Sequence, residues 1–123
     1  YTTLFRSSVE EGYQAMKDFI EKADTRPTAF FAASDTLAIG AMRALQEAAI
    51  RVPEDISIIG FNDISVAKYV SPTLTTVKVH TEWMGELAVE TMKELCLNTP
   101  PVPRKIIVGT EFIQRDSTKH SSK

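Results

Sequence analysis

The sequence predicts an α/β domain built on a parallel sheet with helices on both faces, and three observations lead there. Amphipathic helical patterns alternate with short apolar runs, the mark of strand–helix–strand units joined by right-handed crossovers. The runs Ala29 to Ala33 and Ile56 to Phe61 are too short for helices and unbroken by charge, as strands covered from two sides are. Each of these two runs is followed at once by polar residues, Ser34-Asp35 and Asn62-Asp63.

In chain order, Val9, Tyr13, Met16, Phe19 and Ile20 recur at the spacing of one helical face. A capping box can form from Ser7 with Glu10 or from Ser8 with Glu11. Asp24-Thr25-Arg26-Pro27 ends this helix, because Pro27 disfavours helical geometry at the residue before it. The strand Ala29 to Ala33 follows, then a helix from about Asp35 to Ala48 carrying Leu37, Ile39, Met42 and Leu45 among good helix formers. Arg51 to Asp55 connects it to the strand Ile56 to Phe61. Leu74 to Val79, rich in Thr and Val, is a third strand. Thr81 to Leu97 is a helix with Met84, Leu87, Ala88, Met92 and Leu95 on one side, stopped by Pro100, Pro101 and Pro103. Ile106-Ile107-Val108 and Phe112-Ile113 form one or two further strands, and a frayed tail is expected from Asp116 onward.

The first seven residues, YTTLFRS, show no periodicity and read like a translated sequencing adapter; they are expected to be non-native. The alternative is an ordinary strand fragment, since Tyr, Thr, Leu and Phe suit strands. Residues 8–118 are then expected to be a partial domain and 119–123 a tail, with the genuine protein continuing upstream.

Fourteen Lys and Arg against sixteen Asp and Glu give a net charge of −2. No basic block is present of the kind that phosphate neutralisation requires, so this stretch is not expected to read DNA by itself. The single cysteine, Cys96, can form no internal disulfide and is expected to pack as a small hydrophobe, which suits a reducing cytoplasm. No apolar run is long enough to suggest a membrane helix.

Dinucleotide, phosphate-loop, zinc-protease and nucleophile-elbow motifs are all missing, so no catalytic residue, metal or cofactor is expected. His80 reads as a solvated or capping residue, and Trp83 and Phe112 as packing residues. Ser34, Asp35, Asn62 and Asp63 remain the candidates for ligand binding: in open α/β sheets ligands bind outside the carboxyl ends of the strands, and these side chains offer the donors and acceptors that sugar hydroxyls need. A plainer alternative stays open. Ser and Asp are preferred helix caps, and Asn-Asp favours turns.

The segment PTAFFAASDTLAIGAMRALQEAAIRVPEDISIIGFND, followed by SPTLTTVKV, resembles the effector-binding domain of lactose/galactose-repressor (LacI/GalR) type transcription regulators. The resemblance runs from about Ser8 to Thr118. It implies half of a periplasmic-binding-protein-like (type I) sensor, mostly the C-terminal lobe with one helix and strand of the N-terminal lobe. Leu74 to Val79 would cross between lobes, Thr81 to Leu97 would pack in the other lobe, and the later strand would return.

By position the resemblance makes Ser34 and Asn62 effector contacts, where the family often has Asn and Asp. The aromatic residue that the family stacks on the sugar would fall at Ser7. Ala49 stands where the family usually has Gly. Ile39, Met42, Tyr69 and Val70 correspond to the dimer interface, against an alternative reading as core. The implied function is an effector-sensing, dimerising part of a sugar-responsive repressor, with a galactoside-like effector and operator DNA held by a separate N-terminal domain. A sugar-binding protein of a transporter is the alternative.

Overall fold

The computed structural model describes residues 8–25, 27–98 and 101–119. The adapter-like segment, Ser7 with its capping alternative and position as stacking residue, and the last four residues of the expected tail lie outside them. The elements are α1 (Val9–Lys22), β1 (Ala29–Phe31), α2 (Asp35–Glu47), β2 (Ser57–Asn62), a 3-10 turn (Ser65–Lys68), β3 (Thr75–Val79), α3 (Thr81–Leu97) and β4 (Thr110–Ile113). They make one sheet in the order β1-β2-β3-β4, with the first three strands parallel and β4 antiparallel to β3.

Helix α1 starts on the Ser8–Glu11 capping box: the Glu11 N–H donates to Ser8 Oγ (3.2 Å) and the Ser8 N–H to Glu11 Oε2 (2.9 Å). It packs on α2 at very short range. A Cβ on Gly12 would collide with the backbone of Leu37, and one on Gly40 with the carbonyl of Val9. Two glycines facing each other's helices are therefore what allows this crossing. Beneath it lies the core of Met16, Ala38, Ala41, Met42, Ala44, Leu45, Ile56, Ile58 and Leu74. Helix α2 ends at Glu47 with Ala48 as its cap, after which Ala49 has φ 56°, the left-handed geometry that a Gly adopts without strain.

Both packed helices sit on one face of the sheet. Phe19 of α1 meets Phe30 edge-to-face at 5.1 Å, Phe30 pairs with Ile58, and two residues on Gly60 meets Asp35 of α2. On the opposite face Phe31 meets Phe61 at 6.3 Å, in line with Ile59, Val77 and Phe112. Among the described residues no helix covers that face, and Phe31 stays 64% exposed. Among the described residues the expectation that β1 is covered on both sides therefore fails: β1 is the edge strand, and its outer ring leans on Phe61.

Four other expectations change. Ile106 to Val108 is not a strand; Ile106 and Val108 instead line an apolar groove with Met84, Leu87, Met92 and Leu95 of α3, clipped by the Arg104–Glu94 ion pair (2.7 Å). Helix α3 buries no residue completely. Cys96 is exposed rather than packed, and so are Trp83 and Phe112, since among the described residues no layer covers this side of α3 or the outer sheet face. Asp116 to Lys119 are not frayed. Ser117 wedges between β2 and β3, where its N–H donates to the Thr73 carbonyl (2.9 Å), its Oγ donates to the Ile58 carbonyl (2.6 Å) and accepts from the Thr75 N–H (2.8 Å), and its carbonyl accepts from the Ile58 N–H (2.8 Å). These bonds satisfy the polar groups of Ser117 from both strands, which explains why a polar residue is fully buried there.

Candidate functional site

The two polar pairs come together at the carboxyl ends of neighbouring strands. Ser34 caps α2, its Oγ accepting the Leu37 N–H (3.3 Å) and sharing a hydrogen bond with Thr36 (2.9 Å). Asp35 points inward and is 1% exposed. Its Oδ1 accepts from the Thr76 hydroxyl (2.5 Å) and its Oδ2 from the Ile64 N–H (2.8 Å), so one buried carboxylate ties α2 to β3 and to the loop after β2. A carboxylate with two charge-assisted bonds is stable in a dry setting that would reject it alone.

Asn62 and Asp63 end β2 with φ 107° and 56°. Asn and Asp are the non-glycine residues that most readily accept positive φ, which accounts for this pair at a sharp turn. Asn62 is exposed. Asp63 is held on two sides: its N–H donates to Thr76 Oγ1 (3.4 Å), and its Oδ1 accepts from Arg115 Nη2 (2.6 Å). Ser34-Asp35 and Asn62-Asp63 are thus joined through Thr76.

Asn62 and Asp63 open onto a crevice of about 390 Å³, lined also by Lys78, Val79, His80, Thr81, Glu82 and Trp83. Ser34, 8% exposed, stands at the neighbouring strand end, outside that lining. His80 is the residue before α3 and makes no side-chain capping bond, while Trp83, 54% exposed, is available as a flat apolar wall. The chemistry on offer is hydrogen bonding and ring stacking with a small polar molecule.

Sequence reasoning missed Thr76, Arg115 and Lys78. Thr76 hides in a strand-forming Thr-Thr pair, and Arg115 lies 52 residues from Asp63, so no local pattern marks either. Lys78 is registered beside Asn62 on the adjoining strand, a relation visible only once the strands pair.

The dimer candidates divide. Met42 is 6% exposed and belongs to the core, and Ile39 and Val70 pack half-buried against it, whereas Tyr69 is 76% exposed with the Lys68 ammonium 5.2 Å from its ring. A shallow crevice of about 400 Å³ lies beside them, between Met42, Gln46, Ile50, Val52 and Pro72.

Comparison with known proteins fits this geometry. Residues 2–118 match the periplasmic binding protein-like domain family. The chain is 46% identical over 112 residues to an HTH-type transcriptional regulator GalR of Streptococcus thermophilus, covering 91% of this chain and 34% of that protein. It is 41% identical over 113 residues to a lactose operon repressor of Rhizobium radiobacter, covering 92% of this chain and 98% of that sequence. A crystal structure of the lac repressor dimer bound to operator and the anti-inducer ONPF superposes with a TM-score of 0.85 at 30% identity, over 90% of this chain and 38% of that one. The chain spans about a third of the length of the regulators it matches first. These relatives are transcriptional regulators, not transport proteins. With its open mixed sheet, crevice at the strand ends and sequence likeness, the chain belongs to the periplasmic-binding-protein-like domain family, among the effector-binding domains of LacI/GalR-type regulators.

Proposed function

We propose that this chain is the effector-sensing and dimerising part of a sugar-responsive transcriptional repressor, acting through a DNA-binding domain carried elsewhere in the same protein. The observation that supports the reading is that Ser34 and Asn62 follow or end adjacent parallel strands, each next in sequence to a carboxylate, Asp35 or Asp63, that is bonded within the fold. Asp35 and Asp63 set the positions; Asn62, Ser34 and the wall of Trp83 meet the ligand. The effector is a sugar, and galactosides are the first class to test. No bond is made or broken: a sugar that favours one lobe arrangement shifts the population, and operator affinity follows. Tyr69 and Val70, with Ile39 and Met42 behind them, supply the dimer surface, and the protein works in the cytoplasm. Among the described residues no helix is long and apolar enough to cross a membrane.

The test is an operator titration of the full-length protein at fixed salt, with and without galactose, lactose and ribose. The expected result is specific binding by a dimer, changed at least fivefold by one sugar, and about tenfold weaker sugar response in Asn62→Gly, which keeps the backbone geometry. Specific binding insensitive to every sugar, or no specific binding, would overturn the reading.

A further inference from the structure

We infer that Arg115 is a positioning residue of the crevice, fixing the Asn62-Asp63 turn against β3 and against the segment that returns after β4. Its Nη2 donates to Asp63 Oδ1 (2.6 Å) and its Nη1 to the Leu74 carbonyl (2.8 Å), so one guanidinium spans the turn and the start of β3. Its own backbone is clamped: the Arg115 N–H donates to Thr75 Oγ1 (2.9 Å), and that hydroxyl donates to the Arg115 carbonyl (3.0 Å). The side chains of Arg115 and Asp63 are only 18% and 16% exposed, which keeps water from competing for the bond.

The turn needs this support. Two consecutive non-glycine residues with positive φ persist only where surrounding contacts over-determine them. From β3, Thr76 takes the Asp63 N–H while giving its own proton to Asp35; from beyond β4, Arg115 takes the carboxylate. The result is a polar chain from Asp35, the first residue of α2, through Thr76 of β3 and the turn to the returning segment. A force on Asn62 therefore reaches Arg115 without passing through solvent. The guanidinium fork reaches two acceptors at once, a geometry an ammonium cannot copy.

The ligand part of this inference rests on the sensor reading above; the backbone part does not. In the full-length protein, hydrogen exchange is measured by mass spectrometry over residues 61–64 and over α2 as internal reference. Arg115→Met is expected to speed exchange at the turn by about tenfold or more with α2 unchanged, and Arg115→Lys to restore part of the protection. Asp63→Asn, which keeps the side-chain size, gives the same reading if Arg115→Met does not fold. Equal acceleration in the turn and α2, or none in either, would overturn the inference. The second arm is sugar affinity by calorimetry with galactose and methyl galactoside: about a tenfold loss in Arg115→Met, with sugar-free operator affinity within about twofold of wild type. Unchanged sugar affinity in the folded variant would also overturn it. If the unaltered protein binds no sugar, the sensor reading falls, and the exchange measurement alone decides the role of Arg115.

Discussion

The carboxylate of Asp35 lies so close over Gly60 that a Cβ at position 60 would collide with its Oδ1. Glycine here keeps room for a buried charge to reach Thr76 and Ile64. Gly60→Ala is expected to displace the carboxylate and destabilise the fold by about 1–3 kcal/mol, and Asp35→Ala by a similar amount because a hydroxyl and an N–H lose their acceptor. Urea denaturation of the full-length protein checks both; a change under about 0.5 kcal/mol in either would contradict the packing described.

At the helix crossing, Gly40→Ala is expected to force α1 away from α2, at a cost of about 1–3 kcal/mol. Gly85 in α3 is the contrast. Among the described residues nothing beyond its chain neighbours and the α3 backbone stands within 4 Å of a Cβ there, so Gly85→Ala should stabilise by about 0.5–1 kcal/mol through helix propensity alone. Thermal melts of the two variants should move in opposite directions.

Ala49 predicts a gain. At φ 56° an alanine is strained where glycine is not, so Ala49→Gly should raise stability by up to about 1 kcal/mol, measurable as an upward shift in denaturation midpoint with unchanged slope.

Acid should weaken the α1–α2 contact. The Tyr13 hydroxyl donates to Glu47 Oε2 at 2.7 Å, and this bond, opposed by partial loss of solvent and helped by Arg43, holds the Glu47 carboxyl below its ordinary range. A lowered folded pKa means the contribution is full above the unfolded carboxylate value of about 4.3 and fades as pH falls below it. The same bond raises the Tyr13 phenol, so its contribution is full below about pH 10 and is lost as the phenol ionises. Tyr13→Phe should therefore flatten both ends of the melting-temperature profile and leave pH 5 to 9 nearly level; an unchanged acid limb would refute the assignment.

Much of this fold could be read from local pattern. The Thr81–Leu97 bounds were legible because His80 and the prolines bracket a clean helical repeat, the first two strands because they are short apolar runs with turn residues at both ends, and the third because it is rich in Thr and Val. The Ile106 to Val108 run misled because strand composition cannot supply a strand partner, and this run found a helix instead. At the crevice, Ser34 and Asn62 were legible as strand-end polar residues. Which of the four side chains turn inward was not. Asp35 and Asp63 meet Thr76 and Arg115 across 41 and 52 residues, and such pairings belong to the assembled sheet.

The wedge at Ser117 also bears on assembly. Its side chain joins Ile58 and Thr75 across 59 and 42 residues, so one end of the β2–β3 seam, next to the Ile59–Thr75 pair, is closed by a segment far away in sequence. Until that segment docks, the Ile58 N–H and carbonyl and the Thr75 N–H are without these partners at the end of the central strands. Long-range closure of this kind is slow, and during the delay the open strand end is a template for another chain's strand. A chain cut just before position 117 should therefore aggregate, even though every helix and strand named above is already present in it.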